Sequence, residues 1–202
     1  MSKKLFFRYG AMNCGKTTHL LMTAHNYEEQ GMKPIVLKAT LDTKGGNTVI
    51  NRMGETRNVD YLIHKEDNII DLVKNNHQDI HCFLVDEAQF LEPEQVDQLL
   101  QITIQFSVPV IAYGLRTDAF NMGFPGATRL LQIADSIEEM KTICKCGSKA
   151  TFVIRKINGK DTFSGSQIAI DGEGDVTYES VCKVCYFERK EKADNKKLIL
   201  KR

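Results

Sequence analysis

An eight-residue stretch near the amino terminus, residues 10–17, constrains the fold of this chain most strongly. It matches the pattern G-x-x-x-x-G-K-[ST] at every position. The apolar run at residues 5–9 predicts a short buried strand before it, and a helical pattern follows it to about Gln30. In that context the glycines let successive backbone N–H groups point inward, and the helix adds its positive end. The motif therefore predicts a phosphate-binding loop between a strand and a helix.

Two side chains of the loop have separate predicted tasks. Lys16 places positive charge at the β and γ phosphates, and the Thr17 hydroxyl can ligate Mg²⁺. We assign the whole loop to ATP binding, namely Gly10, Ala11, Met12, Asn13, Cys14, Gly15, Lys16 and Thr17. The loop alone is typical of ATPases, GTPases and small-molecule kinases. The sequence has no Asn-Lys-x-Asp motif for reading guanine, which argues against a GTPase.

A second motif consists of two acidic residues. Asp86 and Glu87 directly follow an apolar run at residues 81–85. In a parallel sheet the carboxyl ends of the strands face the ligand crevice. Asp86 is therefore expected to bind Mg²⁺ directly or through its water shell. Glu87 then lies next to the γ-phosphate, where a carboxylate can take a proton from an attacking hydroxyl. We predict that Glu87 is the catalytic base.

The rest of the first 113 residues alternates between apolar runs and helical patterns. Further strands are predicted at residues 34–39, 81–85 and 108–113, and further helices at 66–77 and 93–106. This alternation predicts βαβ units and a parallel α/β sheet. The polar, Gly-rich segment 40–60 is predicted to be a long, mobile loop. Beyond Lys141 the pattern changes to short alternating strands and a Gly-rich turn at 171–174, which predicts a second, small β-module.

Two cysteine pairs lie in that second module. Cys144, Cys146, Cys182 and Cys185 offer four thiolates, enough for a tetrahedral Zn²⁺ site. The Cys-x-x-Cys pair has normal ligand spacing, whereas the Cys-x-Cys pair is tighter than usual; the alternative is a set of unpaired buried thiols. Four protein ligands leave no open position, so such a zinc would be structural. Cys14 is expected to be a loop residue and Cys82 a core residue.

Composition narrows the classes of function that remain possible. Among 202 residues, 27 are basic and 26 acidic, and a net charge of +1 gives little support to nucleic-acid binding. No run of about 18 apolar residues predicts a membrane span. The amino terminus lacks the apolar stretch of a signal peptide, since Arg8 interrupts it. We therefore expect a cytoplasmic protein, in which cysteines serve as metal ligands or buried thiols rather than disulfides.

Taken together, these residues resemble the type II thymidine kinase family, the cytosolic and bacterial kind. The resemblance rests on the loop at 10–17, Asp-Glu-Ala-Gln-Phe at 86–90, Tyr-Gly-Leu-Arg-Thr-Asp at 113–118, and the cysteine pairs. It implies an α/β fold, with a P-loop (RecA-like) parallel-sheet domain at 1–141. A small zinc-binding β lasso module is then expected at 142–190 and a charged tail at 191–202.

The resemblance also implies an activity. The expected reaction is transfer of the ATP γ-phosphate to the thymidine 5′-hydroxyl, with ATP bound as its Mg²⁺ complex and Glu87 as the base. Asp86 and Gln89 are assigned to the ATP site with the loop, and Thr17 and Asp86 to Mg²⁺. A homotetramer and feedback inhibition by thymidine triphosphate are further implications; no nucleic-acid or membrane partner is expected.

A thymidine pocket is implied in the same way. Aromatic and apolar side chains would hold the flat base, and a β-branched pair would read its edge through backbone groups. The implied substrate-binding residues are Met12, Phe90, Leu115, Phe120, Phe124, Ile168, Ile170, Gly172 and Tyr178. Many relatives carry Phe directly after Thr-Asp, where this sequence has Ala119. We expect Phe120 to take that role, with Phe124 as the alternative.

Two other functions fit part of the sequence. One is a P-loop kinase or ATPase that acts on a different acceptor. The other is a zinc-ribbon nucleic-acid-binding module with ATP-driven remodelling, which the near-neutral charge and the lack of a basic patch with interleaved aromatics disfavour.

Overall fold

The computed structural model describes residues 3–40, 46–74, 79–167 and 175–199, which form two compact units. The first unit comprises the described residues of 1–9, 15–116 and 124–140. The second comprises those of 10–14, 117–123 and 141–202. No described helix combines the length and the apolar character needed to cross a membrane.

A six-stranded parallel sheet forms the centre of the first unit. Its elements are β1 (Leu5–Tyr9), α1 (Lys16–Glu29), β2 (Lys33–Ala39), β3 (Thr48–Ile50), β4 (Thr56–Asn58), β5 (Tyr61–Ile63), α2 (Ile69–Lys74), β6 (Ile80–Asp86), α3 (Pro93–Gln105), β7 (Val110–Gly114), α4 (Pro125–Ile133) and β8 (Ser136–Glu139). The strand order is β5-β2-β6-β7-β1-β8, with every neighbouring pair parallel. The predicted parallel α/β sheet is confirmed.

Helices cover both faces of this sheet, which explains why its central strands are largely apolar. On one face, Val36 and Leu84 pack in a cluster with Leu20 and Ala24 of α1. On the other face, alternate strand residues pack against α2, α3 and α4; this larger cluster includes Phe7, Leu37, Phe83, Val85, Val73, Leu99 and Leu130. Because successive strand residues point to opposite faces, β1, β2, β6 and β7 each contribute to both clusters.

A buried glutamine fixes the start of α3. The side chain of Gln95 is only 3% exposed, and its Oε1 accepts a hydrogen bond from the Glu92 amide at 3.0 Å. Its Nε2 donates to the carbonyl oxygens of His64 and Asp67 at 2.8 and 2.9 Å. Gln95 therefore closes a capping box and ties α3 to the preceding loop.

The expectation of a long mobile loop at 40–60 is wrong for the part that the structure describes. Strands β3 and β4 form an antiparallel hairpin there, and β5 joins the edge of the sheet. The side chain of Asn51 closes the hairpin turn, accepting hydrogen bonds from the amides of Met53 and Glu55 at 3.0 Å each. Local side-chain bonding of this kind lets a polar segment form regular structure with few apolar residues. Residues 41–45 lie outside the described ranges.

The second unit is built from short antiparallel strands and one helix. These are β9 (Thr142–Ile143), β10 (Lys149–Ala150), β11 (Phe152–Ile157), β12 (Lys160–Thr162), β13 (Val176–Val181) and α5 (Lys183–Ile199). Strand β9 pairs with β10, and β11 lies between β12 and β13. Ile154, Val181 and Tyr186 are the centre of its small core. Helix α5 continues through Ile199, across most of the segment for which the sequence predicts a charged tail.

Candidate active site and metal centre

The phosphate-binding motif ends at the first turn of α1. Gly15 precedes the helix with φ at +82°, and a Cβ added there would meet no atom within 4 Å. Glycine is therefore favoured by backbone conformation rather than by space. Lys16 and Thr17 begin the helix, and both are half-buried. Their amides belong to the first turn of a helix, where N–H groups without helical partners attract anions.

The earlier residues of the motif, Gly10–Cys14, belong to the second unit. Asn13 has φ at +66°, a left-handed conformation that asparagine tolerates better than most residues. The carbonyl oxygen of Met12 accepts a hydrogen bond of 2.5 Å from the Ser180 hydroxyl on β13. Ser180 carries no motif of its own, so only the fold identifies it as a contact of this loop.

Asp86 ends β6 with its side chain buried. Burial, together with the adjacent charge of Glu87, raises the pKa of Asp86 to about 7. The backbone amide of Glu87 and the cations of Lys38 and Lys16 act in the opposite direction. A cation that bound beside Asp86 would favour the ionised form of this carboxylate.

Lys38 is a site residue that the sequence analysis missed. It lies opposite Asp86 in the β2–β6 ladder, and its ammonium group donates to the Thr48 carbonyl oxygen at 3.0 Å. The position of Lys38 near the end of the apolar run 34–39, which has no other charged residue, is the signal that could have identified it. From this position next to β6, its positive charge lowers the pKa of Asp86.

Glu87 follows with φ at +52°, so the chain leaves β6 in a sharp left-handed turn. A single turn of 3₁₀ helix, Ala88–Phe90, comes next. The Glu87 carboxylate is half-buried and accepts a hydrogen bond of 2.5 Å from Nε2 of Gln89. Gln89 itself is completely buried, and its Oε1 accepts from the Leu115 amide at 3.0 Å.

The sheet order explains how the first unit brings these groups together. Strand β7 alone separates β1 from β6, and all three run in the same direction. Their carboxyl ends therefore meet at one edge, where α1 begins and where β6 delivers its two acids. Lys16 lies near enough to lower the pKa of Asp86. A cation, a helix amino terminus and two carboxylates form a set suited to phosphoryl transfer.

Three residues of the implied thymidine pocket lie in the first unit. The rings of Phe90 and Phe124 meet edge to face, with centroids 5.6 Å apart and planes at 89°. Leu115 packs against the same core cluster. Within the first unit, Phe124 is therefore in direct contact with Phe90.

The other candidates lie in the second unit or outside the described residues. The Arg155 guanidinium stacks on Phe120 at 4.8 Å from the ring centroid and donates to the carbonyl oxygens of Ser164 and Ser166. Tyr178 lies opposite Arg155 in the β11–β13 ladder. Ala119 is buried, and its carbonyl oxygen accepts from Tyr186. Ile168, Ile170 and Gly172 lie outside the described ranges.

The structure brings the four predicted zinc ligands together. The sulfur atoms of Cys144, Cys146, Cys182 and Cys185 all lie within 4.8 Å of one another. The Sγ atoms of Cys146 and Cys182 are 3.6 Å apart. A tetrahedral site with Zn–S bonds of about 2.3 Å has edges of about 3.8 Å. The spacing of the four sulfur atoms is therefore compatible with a bound zinc ion.

The turn around Cys146 is shaped for metal binding. The Gly147 amide donates to the Cys144 carbonyl oxygen at 2.8 Å, with φ of Gly147 at +87°. Across the site, the Cys185 amide donates to the Cys182 sulfur at 3.5 Å. Both turns expose sulfur to a common centre. Cys82, by contrast, is buried in the first unit as a core residue, as predicted.

Comparison with known proteins agrees with this geometry. The family model described as thymidine kinase matches residues 3–186. The thymidine kinase of Francisella tularensis subsp. tularensis is 44% identical over 187 residues, covering 89% of this chain and 94% of that protein. The enzyme of the same name from Streptococcus gordonii is 42% identical, covering 92% of this chain and 96% of that protein.

A third relative, the thymidine kinase of Lactococcus lactis subsp. lactis, is 42% identical over 187 residues, covering 92% of this chain and 97% of that protein. The matches extend over both units and include the phosphate-binding motif, the acids that end β6, and the cysteine cluster. The chain belongs to the thymidine kinase family.

Proposed function

We propose that the chain transfers the γ-phosphoryl group of ATP to the 5′-hydroxyl of thymidine, giving dTMP and ADP. The observation that carries the proposal is the pair Asp86 and Glu87 at the end of β6, in the field of Lys16, in a member of this family. The two acids have different environments. Asp86 is buried beside two lysines, whereas Glu87 is half-buried and turned out of the strand.

In the proposed step, the 5′-oxygen of thymidine attacks the γ-phosphorus. The new O–P bond forms as the bond from the γ-phosphorus to the β–γ bridging oxygen breaks, and that electron pair leaves on ADP. The hydroxyl proton passes to the Glu87 carboxylate. Lys16 offsets the negative charge that develops on the transferred group and on the leaving oxygen.

Magnesium is proposed as the cofactor of ATP. When bound, Mg²⁺ would neutralise part of the charge of the phosphates. Oxygen ligands suit this ion, and the Thr17 hydroxyl and the Asp86 carboxylate would hold it or its water shell. The remaining loop residues of 10–17 would contribute backbone amides to the phosphates.

For the acceptor, we propose that Phe90, Leu115 and Phe124 contact the thymine ring, because a flat base packs well between aromatic and apolar side chains. Base contacts by Met12, Phe120 and Tyr178, and by Ile168, Ile170 and Gly172, rest on the family resemblance and stay predictions.

The other family-based expectations are part of the same proposal. The cysteine cluster would hold a structural zinc, with no open position for chemistry. A homotetrameric assembly, feedback inhibition by thymidine triphosphate and a cytoplasmic location remain predictions. Six free thiols are in keeping with a reducing compartment.

The acceptor can be tested directly. The protein is incubated with Mg²⁺ and γ-labelled ATP, in parallel with thymidine, deoxycytidine and single-stranded DNA. We expect label in dTMP and little in the other two reactions. Transfer to deoxycytidine alone, or phosphate release without transfer, would contradict thymidine as the acceptor and would favour another kinase or an ATPase.

The role of Glu87 has a separate test. Glu87→Gln keeps the size of the side chain but cannot accept the proton, so kcat should fall by about 10²–10⁴-fold while ATP binding persists. The matched control is Glu94→Gln, which changes an exposed acid in the first turn of α3. Near-normal turnover in Glu87→Gln would remove this residue as the base.

A further inference from the structure

The side chain of Gln89 connects two parts of the candidate active site. It is completely buried and belongs to the 3₁₀ turn that follows β6. One end donates to the Glu87 carboxylate at 2.5 Å, and the other accepts from the backbone amide of Leu115 at 3.0 Å. Leu115 directly follows β7, 26 residues further along the chain. Gln89 therefore joins the ends of two adjacent strands.

The two partners fix the orientation of the Gln89 amide. The Leu115 N–H can only donate, so it must meet Oε1; an ionised carboxylate can only accept, so Glu87 must meet Nε2. A buried amide that bonds at both ends has a single favourable orientation. Hydrogen bonds to a charged partner are also stronger than neutral ones, which favours the link to Glu87.

Gly114 provides the space for this arrangement. A Cβ at position 114 would lie 2.8 Å from Oε1 of Gln89 and 3.0 Å from its backbone nitrogen. Its φ is not in the left-handed region, so steric room is what the glycine contributes. The absence of a side chain at the end of β7 allows Gln89 to pack against that strand.

We propose that Gln89 is a positioning residue of the phosphoryl-transfer reaction, which holds the Glu87 carboxylate in register with the backbone at Leu115. The inference rests on the proposed function and goes beyond it. The family resemblance assigned Gln89 to the ATP site. Its complete burial and its use of both amide ends instead point to an effect exerted through Glu87.

The backbone at Glu87 explains why its side chain needs a positioning contact. Glu87 has a left-handed conformation at the very end of β6, where the ladder to β7 has already stopped at Val85. The hydrogen bond from Gln89 restrains Glu87 where the β6–β7 ladder no longer does. Loss of about 1 Å of positioning at a reacting group can cost about 10²-fold in rate.

Gln95 offers a matched control within the same unit. It is also a buried glutamine bonded at both ends, but its partners are backbone groups of the α3 capping box and the preceding loop. Substitution of either glutamine by methionine removes the amide while keeping the volume. Only the change at position 89 should affect the chemical step beyond its effect on stability.

The experiment compares Gln89→Met, Gln89→Glu and Gln95→Met by melting temperature, ATP affinity, KM for both substrates and kcat. We expect Gln89→Met to lower kcat by about 10–100-fold, with KM for ATP within about threefold of the parent. Gln89→Glu keeps an acceptor for the Leu115 amide but places a second negative charge next to Glu87. It should therefore lower kcat as well. Gln95→Met should lower the melting temperature and leave kcat unchanged.

A double-mutant cycle then separates an effect through Glu87 from any other effect. In the Glu87→Gln background, adding Gln89→Met should lower kcat by less than about threefold, because the group being positioned is already absent. A full additional loss would overturn the proposal. So would a rise in KM for ATP at constant kcat, which would identify Gln89 as a direct ligand of ATP.

Gly114→Ala keeps the proposal testable even if the glutamine variants fold poorly. The added methyl group intrudes on Gln89 without altering Glu87, so kcat should fall in the same direction as in Gln89→Met. Unchanged kcat in a folded Gly114→Ala protein would contradict the proposal. If the parent protein does not phosphorylate thymidine, the proposed function fails first, and the two failures are therefore distinguishable.

Discussion

The hydroxyl of Ser180 donates a hydrogen bond of 2.5 Å to the carbonyl oxygen of Met12, across 168 residues of sequence. Ser180 lies on β13, two residues before the zinc-ligand candidate Cys182. Met12 lies inside the phosphate-binding motif. Within the second unit, the strand that leads to the metal cluster is thus bonded directly to part of the nucleotide loop.

This contact predicts that Ser180→Ala weakens ATP binding. A neutral hydrogen bond contributes about 0.5–1.5 kcal/mol, so KM for ATP should rise by about 2–10-fold. Ser180→Thr retains a hydroxyl at a strand position where β-branched residues are favoured, and it should restore much of the affinity. Steady-state kinetics with ATP as the varied substrate provide the measurement. Equal KM values in the parent and Ser180→Ala would show that the bond has no role in nucleotide binding.

Removal of zinc should destabilise the second unit. Its core is small, and four thiolates from two distant segments converge in it. Structural zinc sites contribute folding free energy directly. We expect about one zinc per chain, and chelation or Cys182→Ser should lower the melting temperature by at least about 10 °C.

Metal analysis and calorimetry provide the readouts for that prediction. Cys82→Ser, which changes a buried thiol of the first unit, is a comparison that should leave the zinc content intact. A protein that contains no zinc and melts normally would contradict a structural metal.

Glu179 predicts a pH dependence of stability. Burial acts to raise its pKa, but hydrogen bonds from Lys156, Lys145 and Arg189 outweigh that effect and lower the pKa to about 2. Since the pKa is lower in the folded state than the ordinary value of 4.5, the ion pairs stabilise the fold fully above about pH 4.5. Their contribution is lost progressively as the pH falls from there towards 2.

The measurement is the difference in melting temperature between the parent and Glu179→Gln. At pH 7 the variant should melt roughly 2–4 °C lower, and the difference should shrink as the pH falls below about 4.5. Loss of zinc in acid affects both proteins and so cancels in the comparison. A difference that stays constant from pH 7 to pH 3 would rule out the ionised carboxylate as its source.

Gly126, the second residue of α4, predicts a steric effect on the fold. A Cβ there would lie 2.5 Å from the Leu91 carbonyl oxygen and 2.7 Å from that of Ala88. Gly126→Ala should therefore destabilise the protein by about 1–3 kcal/mol, because α4 must move away from the turn after β6. Gly46→Ala is the control, since its Cβ would have no neighbour nearer than 4.0 Å. Equal denaturation midpoints for the two variants would contradict this prediction.

Strongly apolar strands and short motifs could be predicted from sequence alone. Strand β1 has the predicted bounds, and β6 ends at Asp86 as its acids indicate. These elements could be predicted because burial on both faces of the sheet gives a largely apolar run of residues. The cluster of four cysteines could also be predicted, since candidate metal ligands can be recognised from residue type and spacing.

Elements held by polar or distant contacts could not be predicted in this way. The β3–β4 hairpin depends on the Asn51 side chain, and its three-residue strands are too short to produce a period-two pattern. Strand β8 pairs only with β1 at the sheet edge, and two of its four residues are exposed. The roles of Gln89 and Ser180 depend on partners 26 and 168 residues away, which no local pattern reports.

The bond between Gln89 and the Leu115 amide has a consequence for protein engineering. The bond uses the backbone of Leu115, so the side chain at this position can be exchanged while the hydrogen bond to Glu87 remains in place. A residue inserted between Gly114 and Leu115, or deleted from the end of β7, would instead shift the amide and remove the hydrogen-bond support of Glu87. Variant libraries at the end of β7 should therefore vary residue identity and keep loop length constant.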